Sequence, residues 1–273
     1  MPIDSTDSSR AAPSSWFEWK SLFMSRSRRA MPPLMAPKLT SIQRFQLARS
    51  LGVFHVGESG EGRIAADILR FDSKFINRAY QESIGLFVAE EARHGRILRQ
   101  MVLSLNGRVP AKAWSESLFK MLRRMMGIRF KILVLMAAEV AGITFYSLIS
   151  SKLEPGPFQV ALTQICGDET DHLDFHADFF CSQIHKRHQE LLFQVSWAAV
   201  WLASIMVVAA DHRKTLEAFR ISQAELWSCA AAYAAIPRRN VSRSLGPNLG
   251  NLHQAPKSWD QRTDQPSVTL RAN

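Results

Sequence analysis

Ile84-Gly85-Leu86-Phe87-Val88-Ala89-Glu90-Glu91-Ala92-Arg93-His94-Gly95-Arg96-Ile97-Leu98 is the stretch on which the fold turns. Its apolar residues recur at helical rather than alternating spacing, so it reads as a helix with an inward stripe of Ile84, Phe87, Glu91, His94, Leu98 and Met101. A carboxylate and an imidazole three residues apart share one helix face, and this face is otherwise oily. The pattern recurs once, as Glu169-Thr170-Asp171-His172. A single Glu-x-x-His arises easily by chance, but two in one helical chain ask for an explanation.

Working outward, Glu139 precedes Glu169 by 30 residues, and Glu61 precedes Glu91 by the same interval. Each half thus reads as a helix with Glu, a turn, and a helix with Glu-x-x-His. In the second half, Pro155-Gly156-Pro157 lies close to midway, so closing that hairpin brings Glu139 and Glu169 to one level. Glu139 sits in Leu135-Met136-Ala137-Ala138-Glu139-Val140-Ala141-Gly142-Ile143, with no other charge nearby. Burying an unpartnered carboxylate there costs several kcal/mol, and a metal ion is a fitting partner. One Glu from each of two helices plus Glu-x-x-His from two others is a two-metal carboxylate ligand set. Glu61, Glu91, His94, Glu139, Glu169 and His172 are therefore the expected ligands, four carboxylates offsetting two divalent cations. Oxygen and imidazole donors suit iron or manganese over soft metals; two iron ions are expected, with manganese as the alternative. Asp168 is placed to accept the other N–H of a ligand histidine, as metal-bound imidazoles require.

The rest of the chain fits an all-α fold. At 273 residues, 47% hydrophobic and 21% charged, it excludes collagen-like repeats and wholesale disorder. Three cysteines without a CxxC pair exclude a disulfide framework and a four-cysteine metal site, so a reducing compartment is the default. The spacing predicts helices from Ser41 through Leu69, from about Asn77 to Asn106-Gly107, a crossover over Trp114–Met126, and helices over Ile128–Leu153 and Pro157–His185. Leu191–Ala210 is a hydrophobic fifth helix just long enough to reach the membrane threshold; burial within, or as a cover on, the bundle is the preferred reading. A last short helix starts at a Ser222/Glu225 capping box and stops before Pro237. Of the net charge of +10, residues 1–38 carry +3 and residues 237–273 carry +4, both in Ser-, Pro- and Arg-rich sequence. Those two segments are read as disordered basic tails around a helical body spanning 39–236. Nothing matches a DNA or RNA recognition motif, and no nucleic-acid partner is expected.

With these residues in view, the chain resembles the ferritin- and rubrerythrin-like di-iron carboxylate superfamily over roughly residues 41–185. The resemblance implies a ferritin-like four-helix bundle, with the hydrophobic C-terminal helix as an addition. Phe54-His55-Val56-Gly57-Glu58-Ser59-Gly60-Glu61-Gly62-Arg63-Ile64 is similar to the first-helix signature of demethoxyubiquinone hydroxylases, His-x-Gly-Glu-x-Gly-x-x-Arg-Ile. That likeness implies Glu58 as the first-helix ligand, whereas the 30-residue spacing favours Glu61; both stay open. Ala89–His94 and Asp168–His172 are similar to the Ala-Glu-Glu-x-x-His and Asp-Glu-x-x-His motifs of uncharacterised bacterial ferritin-like proteins.

Competing readings sit beside each assignment. His176, one turn beyond His172, is a candidate extra ligand, but a hydrogen-bonded core histidine is the plainer account. Tyr146, two turns from Glu139, is a candidate participant at the site or simply a packed aromatic. Cys166 reads as core, and His55, His185, His188 and His212 as surface or boundary residues. The leading functional expectation is a di-iron oxidoreductase that activates or reduces O₂ or peroxide, with Phe87, Leu98, Met136, Ile143, Ile165 and Phe175 favouring a hydrophobic substrate. Iron handling or peroxide protection is the second expectation. A metal-free helical bundle is the third, and would need Arg93 or Arg96 as counter-charge for Glu139. No flavin, nicotinamide or iron–sulfur motif occurs, so electrons are expected from a separate donor protein. A cytoplasmic location, with peripheral membrane contact through Leu191–Ala210, is expected, and a homodimer stays open.

Overall fold

The computed structural model describes residue 13 and residues 15–58, 77–111 and 127–244. Among these, the chain forms an all-helical bundle without strands: α1 (Trp16–Ser27), α2 (Ser41–Glu58), α3 (Arg78–Ser104), α4 (Ile128–Ser150), α5 (Pro157–Gln183), α6 (Arg187–Asp211), α7 (Arg213–Ala218) and α8 (Gln223–Ser244). The crossover expected over Trp114–Met126, and the continuation of the first long helix past Glu58, lie outside the described residues.

Local chemistry sets the helix ends. Asn77 caps α3 by accepting the Tyr80 N–H at 3.0 Å. At the other end Asn106 takes a left-handed φ of 58°, and the Gly107 N–H bonds the Val102 carbonyl at 2.9 Å. Gly107 is needed here because a Cβ would stand 2.6 Å from that of Ala48 on α2. Pro157 occupies the first turn of α5, where its missing N–H leaves no bond unmade.

α2 packs on α3, and α4 on α5; α3 meets α5, and Phe54 of α2 lies 4.9 Å from Phe145 of α4 between ring centroids. One continuous core results, with Phe87, Leu98, Met136, Ile143, Ile165 and Phe175 all fully buried. α8 covers α4 and α5, and α6 leans on α4 and α8.

Two expectations need correction. The segment 1–38 is not a disordered tail throughout: Trp19, Leu22, Phe23 and Arg26 recur at helical spacing on α1, and all are buried against the bundle. Each large apolar side chain removed from water stabilises by about 1.5–3 kcal/mol, enough to hold a short amphipathic helix that composition alone reads as solvated. Trp19 also donates its indole N–H to Asp178 of α5 at 2.8 Å. The tail expected from 237 instead begins as helix, because α8 runs through Pro237 to Ser244. An interior proline costs about 3 kcal/mol, offset here by buried Val241 and by the Asn240 amide donating to Asp174 at 2.7 Å. The Ser222/Glu225 capping box that starts α8 is present, with Glu225 N donating to Ser222 Oγ at 3.1 Å.

α6 takes the covering position, one of the two forms of the preferred reading. It is not fully buried: Phe193, Trp197, Ser204, Ile205 and Val208 face the bundle, while Leu191, Leu192, Val195, Leu202 and Met206 face outward. Both α4 and α6 are long and apolar enough to cross a membrane by length and composition, yet 89% of the α4 window and 28% of the α6 window is buried within the protein.

Candidate metal centre

Helical phase brings Glu91 and His94 of α3 opposite Glu169 and His172 of α5, with Glu139 of α4 beside them. Glu91, Glu139, Glu169 and His172 each offer a donor atom within 4.8 Å of the others, and all four are buried. The two imidazole centroids lie 5.8 Å apart.

Both histidines turn Nδ1 toward the carboxylates. His94 Nδ1 lies 2.8 Å from Glu169 Oε1. His172 Nδ1 lies 3.1 Å from Glu169 Oε2, 2.9 Å from Glu91 Oε1 and 3.9 Å from Glu139 Oε2. Both turn Nε2 away, each onto an acid of the opposite helix. His94 Nε2 meets Asp168 Oδ2 at 3.3 Å, and His172 Nε2 meets Glu90 Oε2 at 3.0 Å. Glu90 and Asp168 hold equivalent places, each one residue before the Glu of its own motif. The role expected for Asp168 toward His94 is therefore met in geometry, and Glu90 plays the same part for His172. The doubled acid in Glu90-Glu91 was the signal for it.

Glu58, at the end of α2, joins this group. Burial, then the charge of Glu91 and a hydrogen bond with it, push its carboxyl well above the usual range. The Tyr146 hydroxyl donates to Glu58 Oε1 at 3.0 Å, so Tyr146 is more than a packed aromatic. Glu61 lies outside the described residues; among those described, Glu58 is the α2 carboxylate that reaches the cluster.

Among the described residues, the acids inside the cluster have no cationic partner but the two imidazoles. Burial, then the charges of Glu169 and Glu91 and a hydrogen bond with Glu169, raise Glu139 well above the carboxylate range. Burial opposes ionisation of Glu169, but the hydrogen bond from Glu139 and the charge of His172 outweigh it and hold Glu169 well below that range. Burial likewise opposes charging His94, but bonds to Asp168 and Glu169 win and lift it to about 10. His172 is raised against its burial by Glu91 and Glu169. Even so, Glu139 Oε1 is buried without a hydrogen bond, and Glu91 Oε1 makes only the misaligned 2.9 Å approach to His172 Nδ1. Four carboxylates from four helices, two inward Nδ1 donors and an orphaned buried oxygen are the donor set that a pair of hard or borderline divalent ions requires.

Outside the histidines the surroundings change. Asp168 Oδ1 lies 2.6 Å from Arg29 Nη1 and 3.4 Å from Arg26 Nε, and its Oδ2 lies 3.7 Å from Arg93 Nη1. Burial works against the Asp168 charge, but His94 and these arginines hold its carboxyl below its ordinary range. Arg93 is engaged with Asp168 and the Ala30 carbonyl, and Arg96 is exposed, so neither is the counter-charge for Glu139 that a metal-free bundle needed. Sequence reasoning missed Arg26 and Arg29 because both lie in the segment read as a tail.

The remaining expectations divide. His176 is fully buried with neither ring nitrogen hydrogen-bonded, which corrects the hydrogen-bonded core reading. Burial, then the charge of His172, lowers it to about 3. His212 is buried rather than peripheral, stacked on Phe54 with its Nδ1 2.9 Å from Ser50 Oγ. Cys166 is core, as expected.

No family model matches this chain, nor does any curated protein or solved structure.

Proposed function

We propose that the chain is a di-metal carboxylate oxidoreductase of the ferritin-like kind, holding two iron ions, or manganese in their place, and acting on O₂ or peroxide. The observation that carries this reading is the paired inward turn of His94 and His172 Nδ1 onto Glu91, Glu139 and Glu169, which have no arginine or lysine partner among the described residues. Glu58, Glu91, His94, Glu139, Glu169 and His172 would hold the ions; when bound, these supply the electrons that reduce an oxygen species. Glu90 and Asp168 fix both imidazoles by accepting their Nε2–H protons. The Tyr146 hydroxyl keeps a proton at Glu58 Oε1. Phe87, Leu98, Met136, Ile143, Ile165 and Phe175 exclude water and favour an apolar substrate over a charged one. Electrons come from a separate donor protein, and the exposed leucines of α6 support peripheral contact with lipid from a cytoplasmic location.

Anaerobic iron loading of the full chain, followed by metal counting, tests the reading. About two ions per chain are expected, and Glu139→Ala or His172→Ala should abolish them. Absence of bound metal after loading rejects it. If the ferrous protein exposed to O₂ accumulates ferric mineral in proportion to added iron, the reading passes to iron handling. O₂ consumption sustained by a chemical reductant without mineral supports the oxidoreductase.

A further inference from the structure

The acids that hold the two histidines belong to opposite helices, with oxygens within 4.8 Å of one another, and one guanidinium reaches both. Arg26, on α1, is 5% exposed. Its Nη1 lies 3.6 Å from Glu90 Oε2, its Nε 3.4 Å from Asp168 Oδ1, and its Nη2 pairs with Asp171 inside the second Glu-x-x-His motif. Glu90 Oε2 is the same atom that faces His172 Nε2, at 3.0 Å. Asp168 faces His94 Nε2 through Oδ2, leaving Oδ1 to the guanidinium. Nε and Nη1 make no hydrogen bond at these distances, so the guanidinium holds Glu90 and Asp168 by charge while its Nη2 is fixed on Asp171, a reach along three acids that a compact ammonium does not match.

We propose that Arg26 is the positioning residue that couples the two imidazoles: by clamping Glu90 and Asp168 together, α1 locks both histidines with Nδ1 toward the metal pair. The inference rests on the two-metal reading and goes beyond it, because it makes a helix that contributes no ligand part of the centre. It also accounts for the anchoring of α1 on α5. Trp19 bonds Asp178 of α5 and so fixes the Arg26 helix on that motif helix, while Lys20 makes a part-exposed pair with Glu82 of α3 at 2.7 Å that leaves Arg26 untouched. Without the clamp, each acid can swing to the arginine nearest it, and each imidazole can rotate its nitrogens out of register.

Titration of full-length protein with Co²⁺, whose visible absorption reports the kind and number of its ligands, is the test. Loss of such outer support typically weakens metal binding about 10- to 100-fold. Arg26→Gln should show a loss of that size together with an altered absorption envelope. Arg26→Lys, keeping the charge but not the fork, should fall between Arg26→Gln and wild type. Lys20→Gln, which removes only the peripheral α1–α3 pair, should titrate as wild type. Urea unfolding of each metal-free variant separates lost fold from lost positioning; if Arg26→Gln does not fold, Arg26→Lys decides. A folded Arg26 variant with wild-type affinity and spectrum overturns the clamp while leaving the two-metal reading intact. A wild-type chain that takes up no Co²⁺ overturns both.

Discussion

Each imidazole at the centre of this protein stands between two sets of acids that sequence alone does not distinguish. On the Nδ1 side lie Glu58, Glu91, Glu139 and Glu169; on the Nε2 side lie Glu90 and Asp168. Both sides are buried and rich in carboxylate. The outer acids have resident cations in Arg26, Arg29 and Arg93, so Asp168 stays ionised. Among the described residues the inner acids have only the two imidazoles, so the carboxyls of Glu58 and Glu139 are pushed up and Glu139 Oε1 goes unbonded. What separates a structural ion cluster from a metal cage is therefore not the count of acids but whether the protein supplies its own counter-charge.

The largest expected effect that would break this contrast is a difference of sign in metal-free stability. Removing an outer acid strands buried guanidinium groups: Asp168→Ala should destabilise the metal-free protein by about 3–5 kcal/mol. Removing an inner acid relieves crowded carboxylates: Glu139→Leu should stabilise it by about 1–3 kcal/mol while ending metal uptake. Urea unfolding measures both, and a shift of the same sign in the two variants would show the faces to be equivalent.

Next in size is a proton effect. His94 is held up at about 10, above its ordinary 6.5, so its stabilising charge is complete below pH 6.5 and lost as pH rises through about 10. Glu58 and Glu139 are likewise raised, so their protons favour the metal-free fold at low pH and are given up as pH climbs. Metal loading at pH 7 should therefore expel protons, and affinity should rise with pH. Calorimetry in two buffers of different ionisation enthalpy measures the release, and none would mean an inner face already fully ionised. The smallest effect sharpens the inner face: Tyr146→Phe removes the donor to Glu58 and should weaken metal binding by about 1 kcal/mol, roughly fivefold.

How far the molecule could be read in advance follows from the same physics. Helix periodicity and capping residues placed α3, α4 and α5, and the spacing of Glu139 and Glu169 placed them at one level, because those signals are local. Counter-charges are not local. Nothing in the 30-residue spacing shows that Glu58 reaches the cluster, and nothing near Glu90 shows that its partners are His172 and Arg26. The stripe Trp19, Leu22, Phe23 and Arg26, preceded by Ser15 as cap, was legible in the N-terminal segment but was outweighed by its Ser, Pro and Arg content. Hydropathy also failed to separate α4 from α6, which score alike although one is enclosed and the other half covered. The difference lies in what surrounds each helix.

The crossing of the outer contacts, Glu90 to His172 and Asp168 to His94, bears on how the two hairpins depend on one another. Although the chain looks like a motif written twice, neither copy is self-sufficient, since each lends the brace that its counterpart needs. A damaged brace on one helix therefore frees the imidazole of the other, and repair has to be sought across the interface rather than along the chain.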